Sequence, residues 1–137
     1  MGLYLCVFDE SDEIDGVDVG SYADYGRFVD AVVAHFEKGK RGSGCPIITM
    51  HSDSDGQWTP EECSRLDRDL QEIERVFSSL PARPISEGWQ VQVTKTFGIK
   101  PKTLAECFFD IDGEPLIGRL RGLCQMAVDK RIPILFQ

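Results

Sequence analysis

Two helix-start signals constrain how this chain folds more than any other feature, because each marks the point at which a helix must begin. Ser21 lies three residues before Asp24, a spacing close to that of a capping box. The run Thr59-Pro60-Glu61-Glu62 has the same spacing and places proline at the first helical position, where its missing N–H costs nothing. Apolar residues recur at helical intervals behind both signals, so the sequence predicts two amphipathic helices. The predicted core faces are Tyr22, Tyr25, Phe28, Val29, Val32, Val33 and Phe36 in the first helix, and Leu66, Leu70, Ile73, Phe77 and Leu80 in the second.

Short apolar runs before and after these helices are predicted to form a sheet. Residues 3–8 are continuously apolar, which is typical of a strand buried on both faces. Residues 46–50 and 107–111 predict the second and third strands. Residues 132–136 predict a last strand, and Pro133 favours a position at the sheet edge because proline cannot donate to a ladder.

The remaining segments are predicted as loops and helices. Residues 9–20 are interpreted as an acidic loop that contains glycine. Residues 86–103 show both strand-like alternation and helical spacing, and the sequence favours a short helix ended by Gly98 and Pro101. A turn at residues 112–115 leads into a final helix. Its predicted core face comprises Leu116, Ile117, Leu120, Leu123, Cys124 and Val128.

These elements predict a single α/β (or α+β) domain over residues 1–137, with a small sheet of about four strands packed with three to four helices. A chain of 137 residues suits one compact domain and buries roughly two-thirds of its unfolded surface. It therefore needs no disulfide or metal staples. The five cysteines cannot all pair within one chain, and none forms a C-x-x-C motif. We expect reduced, structural thiols, with a redox or metal role as the alternative.

The net charge of −8 is unevenly distributed along the chain. Residues 1–30 carry eight acids and one base, and residues 52–80 carry eight acids and three bases. Nucleic acids and anionic membranes are bound through lysine and arginine, so direct binding of nucleic acid is disfavoured. A basic partner would be attracted, although solubility is an alternative reason for the charge.

The N-terminal apolar stretch indicates where the protein is expected to act. It lacks the positive flank of a signal peptide and runs directly into Asp9 and Glu10. No apolar run approaches the ~20 residues that span a bilayer. We therefore expect a cytoplasmic protein with no membrane contact.

The loop at residues 51–62 is the strongest candidate for metal chemistry. Against the calcium-loop template, Asp53 and Asp55 take positions three and five, Gly56 takes position six and Glu62 takes position twelve. Position one is His51, a poor ligand for a hard cation. A transition-metal site of His51, Asp53 and Asp55 is a second interpretation. The simplest one is that this segment forms a turn and that Glu62 caps the helix.

A second motif resembles the nucleophile motif of haloacid-dehalogenase-type phosphatases, in which the first Asp of Asp-x-Asp-Gly attacks phosphate. Here that residue would be Asp110, with Asp112 and Gly113 after it. Glu114 stands where that family has Thr or Val, and only 24 residues follow Gly113, too few to supply the rest of such a site. The sequence also contains no phosphate-binding glycine loop, nucleophile elbow or His-Glu-x-x-His motif. We therefore predict neither an enzyme nor a cofactor.

Several longer strings resemble a known bacterial family. They comprise residues 1–9, 14–24, 51–62, 109–116 and 133–137. On these strings the chain resembles the immunity protein 70 family of polymorphic-toxin systems, in register from residue 1 to residue 137. The resemblance implies a small cytoplasmic protein, encoded next to a secreted toxin, that binds and neutralises the toxin domain. No catalytic residues come with the resemblance.

The candidate partner-binding residues follow from charge. Many toxins of this kind are nucleases with positive clefts, which a fixed array of carboxylates can occupy. Asp53 and Asp55 would extend the array if the first two strands were parallel, and Trp58 is a candidate aromatic anchor. The alternatives are a solvated acidic loop and a tryptophan that packs inside the protein. The leading candidates are six acids within ten residues: Asp9, Glu10, Asp12, Glu13, Asp15 and Asp18.

Two other functions stay open on the sequence alone. One is a small metal-binding protein or hydrolase that uses the His51-Asp53-Asp55 loop. The other is a regulatory interaction domain with no toxin partner.

Overall fold

The fold is built on a four-stranded antiparallel sheet. The computed structural model describes residues 2–52 and 55–137. The strands are β1 Gly2–Asp9, β2 Asp12–Ser21, β3 Gln57–Trp58 and β4 Ile134–Phe136. Their order is β2-β1-β4-β3, and each neighbouring pair is antiparallel.

Strands β1 and β2 form a hairpin, so the prediction that residues 9–20 form a loop is wrong. The turn between the strands contains Glu10, whose φ is 60°. Val17 and Val19 alternate with less buried residues and are 1% and 3% exposed. This period of two is the signature of a strand, and packing of the two valines against the core outweighs the low strand propensity of Asp and Gly.

Strand β4 lies inside the sheet, so the prediction of an edge strand is wrong. Leu5 of β1 pairs with Phe136 on one side of β4, and Trp58 of β3 pairs with Ile134 on the other. Pro133 precedes the strand, and its missing N–H therefore interrupts neither ladder. The sequence did not predict β3, because two residues are too few to show an alternating pattern.

Five α-helices occur in the described ranges: α1 Tyr22–Ala31, α2 Pro46–Thr49, α3 Pro60–Ser78, α4 Trp89–Phe97 and α5 Leu116–Lys130. Both predicted capping boxes are confirmed. Ser21 Oγ accepts from the Asp24 N–H at 3.1 Å, and Asp24 Oδ2 accepts from the Ser21 N–H at 2.8 Å. Thr59 and Glu62 exchange the equivalent bonds at 3.2 and 3.0 Å. The predicted short helix within residues 86–103 is also confirmed, as α4.

Helix α2 replaces the strand predicted at residues 46–50. Helix α1 continues through a π-helical turn at Val32–Phe36, and the next residue, Glu37, is only 3% exposed. Glu37 Oε2 accepts hydrogen bonds from the N–H groups of Gly44 and Cys45 and from the hydroxyl of Thr49. These bonds tie the segment that follows to the end of the π-helical turn. A short apolar run fits a strand or a buried helix equally well, and here these contacts favour the helix.

The strand predicted at residues 107–111 is also absent from the structure. The chain makes a 3-10 turn at Ala105–Cys107 and then a single bridge between Phe109 and Pro115. Asp110 Oδ1 accepts from the N–H groups of Asp112 and Glu114, both at 2.9 Å. These two bonds close a tight loop where the apolar pattern alone suggested an extended chain.

The core lies between one face of the sheet and the helices. Leu3, Leu5 and Val7 of β1 point into it and are fully buried. The predicted face of α3 is confirmed except for Leu80, which follows the helix and is partly buried, and that of α5 is confirmed except for Val128, which is 38% exposed. The protein is a single α+β domain with one helix more than expected, since α2 stands where a strand was predicted.

The cysteines fit the expectation of structural thiols. All five are free, and Cys107 is the one that is not fully buried. Burial raises the pKa of the Cys45 thiol to about 12, so this group stays protonated and unreactive at neutral pH. None of the helices in residues 2–52 and 55–137 is long and apolar enough to cross a membrane.

Candidate functional site

Four of the predicted acids form the end of the β1–β2 hairpin. Asp9, Glu10, Asp12 and Glu13 are all exposed, and we call them the acidic hairpin tip. Asp9 pairs with Asp12 across the turn. Lys130 makes an ion pair with this tip, with its Nζ 3.7 Å from Asp9 Oδ2. Both side chains of that pair are about half exposed, so the pair is weak and leaves the tip strongly negative.

Asp15, the fifth predicted acid, is paired with a cation. It lies across from Val7 on the core side of the sheet. Its carboxylate accepts from both terminal nitrogens of Arg119, with Arg119 Nη2 3.1 Å from Asp15 Oδ1. Arg119 also donates to the Gly16 carbonyl at 2.6 Å and lies 3.6 Å from the buried carboxylate of Asp110. Asp15 therefore holds α5 and the loop of Asp110 against the hairpin.

Asp18, the sixth predicted acid, is partly engaged. Its Oδ1 accepts from the Gly20 N–H at 2.9 Å, and its backbone carbonyl accepts from the Ile111 N–H at 3.3 Å. Its side chain lies across from Tyr4, on the face of the sheet away from the core. The carboxylate is thus held in position but half-exposed.

The structure does not bring the second acidic loop next to the first. Asp53 lies outside the described residues. Asp55 is exposed, but it precedes β3 at the far edge of the sheet, with β4 and β1 between it and β2. These acids were expected to extend the array if the first two predicted strands were parallel. The second of those segments, residues 46–50, forms helix α2 instead of a strand, so Asp55 does not extend the acidic hairpin tip.

Trp58 is buried, and the structure does not support its prediction as an aromatic anchor. It is 0% exposed, and its Nε1 donates to the Ile47 carbonyl at 2.9 Å. Its ring packs edge-on against Phe136 with the centroids 4.8 Å apart. The alternative interpretation, a tryptophan packed inside the protein, describes it.

The residues considered for a metal site have other partners. His51 Nδ1 lies 2.6 Å from the Ser52 carbonyl oxygen and His51 Nε2 lies 3.0 Å from that of Gln57. The Glu62 carboxylate caps α3, and Asp110 is 2% exposed beside Arg119. No group of three or more His, Cys, Asp and Glu side chains within residues 2–52 and 55–137 is arranged to hold a metal ion.

Sequence reasoning missed one part of the hairpin, the outward face of β1. Tyr4 Oη donates to Glu13 Oε2 at 2.8 Å, and its ring crosses Gly16 so closely that a Cβ there would lie 2.1 Å from Oη. Burial and the neighbouring Glu13 carboxylate raise the pKa of Tyr4 to about 12, so the phenol stays protonated and keeps donating. Tyr4, Cys6 and Phe8 alternate with the core residues, and this alternation was the signal for a separate outward face. The whole run is apolar, however, so the two faces look alike in the sequence.

Asp24 connects the hairpin end of α1 to the outlying helix α4. Besides capping α1, its carboxylate accepts from Trp89 Nε1 and Gln90 Nε2, each at 2.8 Å. Burial raises the pKa of Asp24, but hydrogen bonds from Trp89, Ser21 and Gln90 outweigh it and lower the pKa to about 2. A cleft of about 470 Å³ opens beside this carboxylate, with Arg27 and Arg83 among the residues that line it.

A small α+β domain with an exposed acidic hairpin, and with its candidate catalytic residues engaged in structural contacts, suits a protein that acts by binding another protein. The comparison with family models supports this class, since the match is to a family of immunity proteins from toxin systems. That family is Immunity protein 70, and its model matches residues 3–136. The chain therefore belongs to the Immunity protein 70 family, as the resemblance of its sequence predicts, and the family indicates a non-enzymatic role. Comparison with curated proteins and with solved structures gives no match.

Proposed function

We propose that this protein binds the toxin domain encoded beside it and neutralises that domain in the cytoplasm by covering its functional surface. The observation that carries the proposal is the acidic hairpin tip, because four exposed carboxylates stand on a short, hydrogen-bonded turn. Residues 2–21 contain six acids and no lysine or arginine. A surface of one sign on a rigid support is what recognition of a basic partner requires.

The charge also suggests what kind of toxin is bound. A nuclease must present lysine and arginine to phosphates, so its substrate cleft is positive. Carboxylates held on a fixed hairpin can occupy such a cleft, and their field accelerates the encounter of the two proteins. A basic nuclease domain is therefore the proposed partner.

A rescue assay tests the function directly. The C-terminal domain of the neighbouring toxin is expressed in a bacterial host with and without this protein, and the two are then purified together. We expect growth to be restored and a stable complex to be recovered. A toxin that kills equally in both strains, with no complex, would contradict the proposal.

The place of the interface is tested by charge reversal. Glu10→Lys with Asp12→Lys should slow association with the toxin domain by about tenfold or more at low salt, since steering depends on the sign of the tip. The matched control is Glu72→Lys with Glu87→Lys, which changes the net charge equally at exposed positions outside the hairpin. Association rates measured at several salt concentrations distinguish the two, and equal rates for both double variants would remove the tip from the interface.

A further inference from the structure

Within residues 2–52 and 55–137, the helices pack their buried apolar residues against one face of the sheet only. The buried residues of α1, α2, α3 and α5 belong to the core cluster, on the side of Leu3, Leu5 and Val7. The alternate residues of β1 point the other way and do not belong to that cluster. We call this side the open face, and its residues on β1 and β4 are Tyr4, Cys6, Phe8 and Leu135.

The open face is apolar at its centre without being part of the core. Tyr4, Phe8 and Leu135 are half-buried, while Cys6 between them is 0% exposed. Leu135 is the cross-strand partner of Cys6, so the four side chains form one continuous strip. A strip of this kind on one side of a two-layer domain is the sort of surface that binds another protein.

Two carboxylates stand on the open face beside this strip. Glu13 lies across from Phe8, and Asp18 lies across from Tyr4. Each is held by a hydrogen bond, Glu13 from Tyr4 Oη and Asp18 from the Gly20 N–H. None of β1, β2, β3 and β4 contains a lysine or arginine, so every formal charge that the strands contribute to this face is negative.

The Tyr4 ring is fixed between the two carboxylates. One side of the ring lies against Gly16, where a Cβ atom would be 2.3 Å from Tyr4 Cζ. The hydroxyl is held by Glu13, so the ring has little freedom to turn away. Tyr4 is half-buried, so part of the ring remains accessible to a partner.

From this arrangement we infer that the open face is part of the toxin interface and that it binds an arginine side chain of the toxin domain. The guanidinium stacks on the outer side of the Tyr4 ring and pairs with Glu13 or Asp18, while Phe8 and Leu135 contact the apolar surface around it. This inference rests on the proposed function. The acidic hairpin tip speeds the encounter of the two proteins, and the open face adds a contact that holds the complex together.

The chemistry favours arginine over other groups. A guanidinium is planar, so it can stack on an aromatic ring and present its N–H groups to a carboxylate at the ring edge. An ammonium makes point contacts and is more strongly hydrated. Tyrosine and arginine are also the residues that most often dominate the free energy of protein association.

The test measures affinity between the full chain and the isolated toxin domain by calorimetry. Tyr4→Leu should weaken the complex on the order of tenfold or more, since it removes the ring that the guanidinium stacks on. Phe8→Ser should weaken it by several-fold. Tyr4→Phe retains the ring and should stay within about threefold of the wild type. The matched control is Phe97→Ser, an apolar side chain that is 57% exposed and stands on α4 beside Gly113, not on a strand of the sheet.

Three results separate the two ideas. Weaker binding of Tyr4→Leu and Phe8→Ser, with normal melting temperatures and an unaffected Phe97→Ser, supports the open face as the interface. Wild-type affinity of both open-face variants overturns this inference and leaves the proposed function intact. Failure of the wild-type protein to bind the toxin domain overturns the proposed function and this inference together.

Glu13→Gln supplies a variant that does not depend on the packing of Tyr4. The amide oxygen can still accept from the Tyr4 hydroxyl, so the ring stays in place. The complex should nevertheless weaken by several-fold and lose part of its salt dependence, because one carboxylate no longer pairs with the guanidinium. An unchanged affinity and salt dependence would contradict the role given to this carboxylate.

Discussion

The acidic hairpin tip and the flank of the same hairpin, at Asp15, both carry carboxylates, but these carboxylates have opposite roles. At the tip, Glu10 and Asp12 are exposed and extend into solvent. On the flank, Asp15 is held by Arg119, which also approaches the buried Asp110. The density of acids along a sequence therefore does not reveal which of them are available to a partner. That depends on the cations and N–H groups that the fold brings from elsewhere.

The largest expected effect lies on the flank. Arg119→Met removes the cation beside Asp110, whose side chain is 3% exposed, and beside Asp15. The buried carboxylate would lose its cation and keep only its two backbone N–H donors, so the free energy of unfolding should fall by about 3 kcal/mol. Urea denaturation at neutral pH measures it.

Arg75→Met is the matched control for that experiment. Arg75 pairs with Glu72 at 2.8 Å, but both side chains are more than half exposed. A pair of this kind contributes little, so the change should stay within about 0.5 kcal/mol. Equal losses from the two variants would contradict the distinction between engaged and free acids.

A second, smaller effect concerns the pH dependence of stability at Asp24. Its pKa is lowered from 3.8 to about 2, so the folded state binds this proton more weakly than the unfolded chain. The stabilisation is therefore complete above about pH 5 and is lost as the pH falls through the range from 4 to 2. At neutral pH it amounts to about 2 kcal/mol.

Asp24→Asn checks this linkage. The asparagine cannot ionise and keeps one acceptor oxygen, so Trp89, which donates to Oδ2, can retain its partner, whereas Gln90, which donates to Oδ1, then faces an N–H group. The variant should be less stable than the wild type at pH 6, and the difference should shrink as the pH approaches 2. A difference in unfolding free energy that stays constant across that range would show that charge at Asp24 is not responsible.

The smallest expected effect on stability is at the tip. Glu10→Gln with Asp12→Asn should change the free energy of unfolding by less than about 0.5 kcal/mol, because neither carboxylate holds the fold. The same variant should associate more slowly with the toxin domain. A large loss of stability would show that the tip carboxylates hold the fold, and it would contradict the distinction between the tip and the flank.

Local signals in the sequence predicted the long helices correctly. The capping residues of α1 and α3 and the apolar stripes behind them lie within a few residues of one another, so the sequence alone contains what decides those helices. The Immunity protein 70 family was also recognisable from the sequence, because its strings extend along the whole chain.

The errors arose where side-chain hydrogen bonds or tertiary packing, and not the spacing of apolar residues, decide the conformation. Glu37 fixes the segment of α2 from outside it, and Asp110 folds its own loop through bonds to residues that follow. The strand β2 depends on packing of Val17 against residues of α5 and β1 that the local sequence does not show. Trp58 is a similar case in the candidate site, because its neighbours in the sequence do not indicate that its side chain is buried.

The register of the hairpin has a consequence for how such a protein can diversify. Val7 pairs with Asp15 and Phe8 pairs with Glu13, so Ile14 is an extra residue in β2. This bulge is what directs Asp15 toward the core and Glu13 toward the open face. Deleting Ile14 would retain every acidic residue. The acidic side chains beyond the deletion would, however, move to the opposite face of the sheet. Relatives that differ by one residue in this strand could therefore present a different pattern of charge, and so a different toxin preference, without a single substitution.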